Sequence, residues 1–288
     1  MQSKLISESE IQEMLQFTSV SHAAAWLKRT PEYAKAWADL DENSLHRGQI
    51  EKLLKASIFK DFSKIYQFAN PEQRKFLDLY SRRYEIRVLK EIMTNLFDHK
   101  STDAVDVSPY CDFFRRHSKL DLDRLTACTT MDEFINTLKG NEFYVPLSRI
   151  QNHDTALLFD YGMALDLYYF SMIWNVRKKL FSGKDLEQIT TAYGEKFDML
   201  NLQFISRSKR YFSMAPADIY ALLIPMNYKL KKEEITALVE ASTREEAQQI
   251  FRKTYYGKKY DHLSAHNLEE FYNCLLYTSP SPRDPKTS

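Results

Sequence analysis

The sequence Tyr80-Ser-Arg-Arg-Tyr84-Glu85-Ile86-Arg87-Val-Leu89-Lys90-Glu-Ile92 returns, 113 positions later, as Tyr193-Gly-Glu-Lys-Phe197-Asp198-Met199-Leu200-Asn-Leu202-Gln203-Phe-Ile205. The two copies align without a gap. In each copy an apolar or aromatic residue recurs every three or four positions, which predicts a helix that buries one stripe and holds a carboxylate beside an aromatic ring. A duplicated helix indicates a duplicated module.

The composition favours a folded, helical protein. Of the 288 residues, 44% are apolar and 14% are aromatic, which is enough for a substantial core. Only six glycines, and six prolines before residue 280, interrupt regular structure. We therefore predict an all-α fold.

Charge and cysteine usage exclude several classes of protein. The 40 basic and 39 acidic side chains nearly cancel, so no global field attracts nucleic acid or an acidic bilayer. Cys111, Cys128 and Cys274 are scattered without CxxC spacing, which argues against a disulfide framework. The first residues lack the apolar core of a secretory signal, and we expect a cytoplasmic location.

The most membrane-like run extends from Ala156 to Trp174. Asp160 and Asp166 interrupt it, and it is rich in tyrosine. We interpret it as a buried central helix rather than a membrane span, with Asp166 as a buried hydrogen-bonding group.

Helix signals can be followed along the first hundred residues. Residues 5–27 predict two short amphipathic helices with Ser19 and Ser21 as N-caps, ended by a corner at Thr30-Pro31. A long helix is predicted from Gln49 to Phe68, with Ile50, Leu53, Leu54, Ile58, Phe62, Ile65 and Tyr66 on one side. The next helix is predicted to start at Asn70-Pro71, with Asn70 as its cap, and to run to about Phe97.

After a polar linker, Asp98 to Ser108, the pattern restarts twice. Leu122 and Leu125 match Ile11 and Met14 at a displacement of 111, and Ile235 and Leu238 follow 113 positions later. We predict three helical modules, 1–106, 107–215 and 216–273, the third incomplete, arranged as a funnel around a pseudo-threefold axis.

The tail, residues 274–288, differs from everything before it. Cys274-Leu-Leu-Tyr-Thr-Ser-Pro-Ser-Pro-Arg-Asp284 resembles the translation of a sequencing adapter, and its prolines would end the helix predicted near Leu268. We expect a non-native tail on a natural chain that stops near Asn273. A genuine proline-rich tail is the alternative.

Two sets of residues suggest chemistry, and each has a structural alternative. His262 and His266 are four apart and could face a metal, but there is no HExxH glutamate and no third ligand nearby, which favours surface or capping histidines. Glu85 and Asp198 could be paired acid and base groups. A duplicated carboxylate that caps a helix or pairs with Arg47 or Arg87 is the favoured interpretation. No GxxxxGK[ST] motif is present, and we predict no catalytic, cofactor-binding or metal-binding residue.

Two basic clusters lie beside aromatics, Arg82-Arg83 and Arg207-Ser-Lys209-Arg210-Tyr211. Such patterns also occur in RNA-binding proteins, but acidic neighbours and the neutral total favour solvated helix faces. If one cluster is functional, we expect it to contact an acidic partner protein or lipid headgroups.

Five segments carry a family resemblance. They are Leu45-His-Arg47-Gly48-Gln-Ile50-Glu51, Tyr84-Glu85-Ile86-Arg87-Val-Leu89-Lys90, Ala164-Leu165-Asp166-Leu-Tyr168-Tyr169-Phe170, Phe197-Asp198-Met199-Leu200-Asn201 and Leu223-Ile224-Pro225-Met-Asn-Tyr228-Lys-Leu230. In this order, and over residues 3 to 273, the chain resembles the C subunits of the V/A-type (vacuolar/archaeal-type) ATPases, the counterparts of the d subunit of the eukaryotic V-ATPase. The resemblance implies a short segment before Leu5 and a final helical segment, and we expect both to be missing from this chain.

The resemblance implies a non-catalytic rotor part without a cofactor. Such a part would be a funnel-shaped cap that sits on the membrane ring of ion-carrying subunits and holds the foot of the central shaft, the D/F-type subunits. It implies a peripheral position on the cytoplasmic face of the membrane, no transmembrane segment and no nucleic acid partner. The choice between proton and sodium belongs to the ring. Alternatives are a helical-repeat scaffold unrelated to the ATPase and a metal-dependent hydrolase built around the two histidines.

Overall fold

A computed structural model describes residues 6–31, 33–38, 41, 45–98, 111–151 and 156–259. Its regular elements are all α-helices, which confirms the all-α prediction for the described part of the chain. In chain order they are α1 Glu8–Met14, α2 Val20–Arg29, α3 Ala34–Trp37, α4 Arg47–Phe68, α5 Pro71–Phe97, α6 Cys111–His117, α7 Leu122–Thr126, α8 Met131–Thr137, α9 Tyr144–Gln151, α10 Leu158–Leu180, α11 Gly183–Tyr211, α12 Pro216–Leu222, α13 Lys232–Glu240, α14 Arg244–Lys253 and α15 Tyr255–Lys259. The chain divides into two compact units, Met1–Tyr144 and Val145–Ser288.

The helix ends of the first unit follow their capping residues. Ser19 accepts a hydrogen bond from the backbone N–H of His22 and so caps α2 as predicted, whereas Ser21 lies inside that helix. Helix α2 ends at Arg29, and Thr30 is extended, as expected for the residue before a proline. Asn70 accepts from Gln73 N–H at 2.9 Å and caps α5, whose first residue is Pro71.

Aromatic rings fill the core of the first unit where α4, α5 and α6 meet. The contacting rings meet mostly edge to face, and the ring centroids of each pair lie 4.9 to 6.1 Å apart. The rings belong to Phe59, Phe62, Tyr84, Phe113 and His117. The predicted buried face of α4 was therefore wrong in part. Ile58 and Ile65 are exposed, and Phe59, which the pattern missed, is buried.

The second unit is built on the long helices α10 and α11. Helix α10 buries Tyr161, Leu165, Tyr169, Ile173 and Arg177, one residue in every four, and Asp166 is half-buried. A second cluster forms where α11 packs against α12 to α15, around Met199, Leu202, Leu238, Phe251 and Tyr256. No helix in the described part combines the length and apolar character that crossing a bilayer requires.

Matching hydrogen bonds recur 113 positions apart, once in each unit. Thr130 caps α8 by accepting from Glu133 N–H, and the Glu133 side chain accepts from Thr129 N–H at 2.9 Å. Thr243 caps α14 in the same way, with Glu246 accepting from Ser242 N–H at 2.7 Å. These pairs agree with the repeat in the sequence; the three modules and their funnel arrangement stay a prediction.

Several predicted features lie outside the described residues. They are most of the linker before Pro109, the two histidines His262 and His266, Cys274 and the tail. Within the described part, Cys128 is buried and forms no disulfide, and its thiol donates to the carbonyl of Arg124 at 3.3 Å.

Candidate functional site

Asp198 is the centre of the most extensively bonded buried polar site in the second unit. One carboxylate oxygen accepts the backbone N–H of Tyr228 at 3.0 Å, and the other accepts those of Lys229 and Leu230 at 2.6 and 2.9 Å. The Tyr256 hydroxyl donates to the second oxygen at 2.8 Å. Three consecutive amides that converge on one point form an anion-binding concavity, and here the chain's own side chain fills it.

Tyr228, Lys229 and Leu230 belong to the connection between α12 and α13, and three more residues of α11 contact that connection. Asn201 accepts the N–H of Ile224 at 2.8 Å and donates to its carbonyl at 3.0 Å, so both polar groups of that residue are satisfied. Gly194 faces the ring of Tyr228 so closely that a β-carbon on it would stand 2.4 Å from Cγ of the ring. The Thr191 hydroxyl hydrogen-bonds with the Tyr228 hydroxyl at 3.2 Å. Helix α11 therefore fixes both ends of the connection.

The protonation of Asp198 is set by two opposing effects. Burial raises the pKa of its carboxyl, and the hydrogen bonds from Tyr228, Leu230, Lys229 and Tyr256 oppose that rise. All four partners are donors, so the site is built for the ionised carboxylate. Burial and the carboxylate raise the pKa of the Tyr256 hydroxyl, which keeps its proton for donation.

Glu85, the counterpart of Asp198 in the repeat, is equally inaccessible but has different partners. Arg82 lies one turn earlier on α5 and donates to both Glu85 oxygens at 3.1 and 3.2 Å. The same guanidinium pairs with Glu142 at 2.7 Å. Burial raises the pKa of the Glu85 carboxyl, and Arg82 and Ser118 lower it, with burial the larger effect.

The structure corrects the partner expected for this carboxylate. Arg47, one of the two arginines proposed, pairs instead with Glu51 at 2.7 Å on the exposed face of α4. Arg82 is the partner of Glu85, although the sequence analysis predicted that it lies in a solvated basic cluster. Its neighbour Arg83 donates to the Tyr80 hydroxyl at 2.7 Å and lies over that ring.

Neither carboxylate is placed for acid–base chemistry on a substrate. Asp198 is 0% and Glu85 2% exposed, and their oxygens are directed at groups of the same chain. The described residues hold no group of three His, Cys, Asp or Glu side chains arranged for a metal. The Asp198 carboxylate joins the connection before α13 to α11, whereas Glu85 pairs with an arginine of its own helix.

The second basic cluster lies at the end of α11. The Lys209 ammonium donates to the carbonyl of Ala241 at 2.5 Å, and the Arg210 guanidinium lies 5.0 Å from the Tyr211 ring centre. Tyr211 and Phe212 are 59% and 67% exposed. This cluster therefore presents two aromatic rings and a guanidinium to the surroundings.

The sequence was also compared with known families. Residues 1–279 match the family described as the ATP synthase (C/AC39) subunit. The chain belongs to this family. The match confirms the resemblance to the C subunits of the V/A-type ATPases that the five segments indicated. Two of those segments, around Asp198 and around Tyr228, are joined by the hydrogen bond from the Tyr228 N–H to the Asp198 carboxylate.

A named relative agrees with the family. The C subunit of the A-type ATP synthase from Methanothermobacter thermautotrophicus is 21% identical over 243 residues. The alignment covers 83% of this chain and 59% of that protein. The chain thus spans about three fifths of the length of this curated relative.

Proposed function

We propose that this chain is a non-catalytic subunit of the central stalk in a V/A-type ATPase, where it couples the rotating shaft to the membrane ring. Membership in the ATP synthase (C/AC39) subunit family over residues 1–279 is the observation that carries the proposal. ATP hydrolysis in the soluble head would drive proton or sodium transport through this coupling, and ion flow in the opposite direction would drive synthesis. The chain would sit on the cytoplasmic side, peripheral to the membrane.

The internal contacts suit a part that transmits torque. Such a part must not yield at its connections, because an elastic joint would absorb the rotation. The connection from Leu223 to Lys231 has no helical structure, yet Asp198 and Asn201 bind its backbone through five hydrogen bonds, and Gly194 lets a tyrosine ring pack directly on the helix. Close packing and satisfied buried polar groups make this connection stiff.

Co-purification tests the proposal directly. The chain would be mixed with the purified shaft subunits of a V/A-type ATPase and, separately, with its detergent-solubilised ring. We expect the chain to co-elute with both in size-exclusion chromatography. In vesicles that carry a complex depleted of its own copy of this subunit, we expect the chain to restore ATP-driven ion transport.

Two results would argue against this role. A folded chain that binds neither shaft nor ring would favour the alternative of a helical scaffold unrelated to the ATPase. A chain that binds only the shaft would place it in the complex but outside the coupling path. Circular dichroism of each sample shows whether the chain is helical, so that a misfolded sample is not mistaken for a negative result.

A further inference from the structure

A groove opens in the second unit between the end of α11, the end of α13 and the first turns of α14. Its volume is about 310 Å³, at the low end of the range of about 300–1,000 Å³ for binding pockets. Leu202, Ile205, Leu238 and Phe251 contribute apolar side chains to its wall. The exposed rings of Tyr211 and Phe212 directly follow Arg210 of the groove in sequence.

Every charged residue that lines the groove, among those described, is basic. These residues are Lys209, Arg210 and Arg244. Two nearby carboxylates bind within the chain: Glu240 accepts from the Tyr220 hydroxyl at 3.0 Å, and Glu246 accepts from Ser242 N–H at 2.7 Å. The groove therefore combines an apolar wall with a rim that carries three basic residues.

The groove is a difference between the two copies of the repeat. At a displacement of 113, four small or polar lining residues correspond to large apolar residues that are buried in the first unit: Ser206 to Met93, Lys209 to Leu96, Ala247 to Phe134 and Gln248 to Ile135. Met93, Phe134 and Ile135 are 0% and Leu96 6% exposed, so in that copy these side chains pack in the interior. In the second unit, smaller and more polar residues leave the space open. Larger apolar side chains at these four positions would fill the groove.

We propose that this groove binds an acidic amphipathic helix of a partner protein, with apolar residues on its wall and carboxylates at Lys209, Arg210 and Arg244. A helix with one apolar face suits an open groove of this kind, and Tyr, Phe, Met and Arg are the residues that anchor such contacts. An anionic membrane fits less well, because lipid recognition typically uses four to eight clustered basic residues rather than three around a concave apolar wall. The proposal goes beyond the central-stalk function and does not depend on it.

The probe is a fluorescein-labelled peptide of about 18 residues, long enough to form a helix, with leucine on one face and glutamate on the other. Fluorescence anisotropy with the full chain should give saturable binding in the micromolar range that weakens as salt is added. A peptide with lysine in place of each glutamate should not bind.

Two pairs of variants test the groove itself. Exchanging Arg210→Glu and Arg244→Glu together should weaken peptide binding about tenfold or more, since two attractions become repulsions. The matched control is Lys178→Glu with Lys179→Glu on α10, exposed and away from the groove, which should change binding less than twofold.

Ala247→Phe, which supplies the ring found at Phe134 in the other copy, should abolish binding without lowering the melting temperature. Gln249→Phe, on the exposed side of α14, is its control.

The proposal is overturned if the acidic peptide does not bind, or if Ala247→Phe, still folded, binds it as well as the unchanged chain. A second pattern also overturns it. In that pattern the chain sediments with vesicles that contain phosphatidylserine, the variant with Arg210→Glu and Arg244→Glu does not, and the chain does not bind the peptide. That pattern would assign the basic rim to a membrane surface. Because these measurements use neither shaft nor ring, their failure leaves the co-purification result unaffected.

Discussion

Asp198 and Glu85 occupy the same position in two copies of one helix but are held in different ways. Asp198 binds three backbone amides and a tyrosine hydroxyl, whereas Glu85 binds an arginine from its own helix. Phe143, which has no hydroxyl to donate, stands 113 positions before Tyr256. A buried carboxylate thus recurs 113 positions apart, while the groups that satisfy its charge differ.

Removal of the Asp198 carboxylate should have the largest effect. Asp198→Ala leaves three amides and a hydroxyl without their buried acceptor, and we expect the free energy of unfolding to fall by about 4 kcal/mol. Urea denaturation followed by circular dichroism measures it. Asp185→Ala, an exposed residue in the first turn of the same helix, should cost less than about 1 kcal/mol. If both variants lose the same free energy of unfolding, the buried hydrogen bonds of Asp198 do not stabilise the fold.

The Glu85 site should be sensitive to its single cation. Arg82→Met keeps the length of the side chain but leaves Glu85 buried without its charge partner, so we expect a loss of about 3 kcal/mol at neutral pH. Part of this loss should be recovered at acid pH, where Glu85 takes up a proton. Arg83→Met, on the neighbouring exposed position, is the control. A loss that stays constant with pH would mean that Arg82 acts by packing alone.

A β-carbon at Gly194 should push α11 away from the connection that it holds. Gly194→Ala presses against the Tyr228 ring and should destabilise by about 2 kcal/mol. In a Tyr228→Ala background the clash is gone, and the same change should stabilise by up to about 1 kcal/mol, since alanine is the better helix former. Thermal and urea unfolding of the four proteins in this cycle would measure the coupling. The same sign in both backgrounds would contradict the packing seen here.

Tyr256→Phe makes the Asp198 site resemble the Glu85 site. It removes one donor of four, and we expect a loss of about 1 kcal/mol. Tyr255→Phe, at an exposed neighbouring ring, should change stability by less than about 0.5 kcal/mol. If Tyr256→Phe costs nothing, the amides alone hold the carboxylate.

Glu85→Gln should have the smallest effect at neutral pH, within about 1 kcal/mol, but a distinctive pH dependence. Since burial raises the pKa of Glu85, its folded form binds a proton more tightly than its unfolded form does. The stability from this group is therefore complete below the ordinary glutamate pKa and is lost as pH rises through the raised value. The unchanged chain should gain stability over Glu85→Gln as pH falls from about 7 to about 4. The opposite trend would mean that Arg82 outweighs burial.

Local signals in the sequence predicted the helices well. The Asn70-Pro71 start and the Thr30-Pro31 corner depend on backbone preferences of two adjacent residues, and the structure has both. The structural role of the two carboxylates also followed from their duplication. Burial on α4 was predicted less well, because Ile58 and Phe59 are both apolar and only the neighbouring helices decide which one is covered.

Sequence patterns could not predict which groups bind the two carboxylates. The donors to Asp198 lie 30, 31, 32 and 58 residues away, and three of them are backbone amides, which every non-proline residue has. The groove was equally hidden. Ala247 and Gln248 are ordinary helix residues, and their significance emerges only beside Phe134 and Ile135 of the other copy.

The distance between Asp198 and Tyr256 has a consequence for synthesis on the ribosome. The amides at 228 to 230 are translated first, and Tyr256 follows about 1 to 5 seconds later at the usual rate of elongation. Small helical units fold in microseconds to milliseconds. The three amides also emerge from the ribosomal exit tunnel about 1 to 5 seconds before Tyr256 does. The nascent chain thus has time to close the amide contacts before the tyrosine hydroxyl can reach Asp198, and the Tyr256 hydrogen bond forms last.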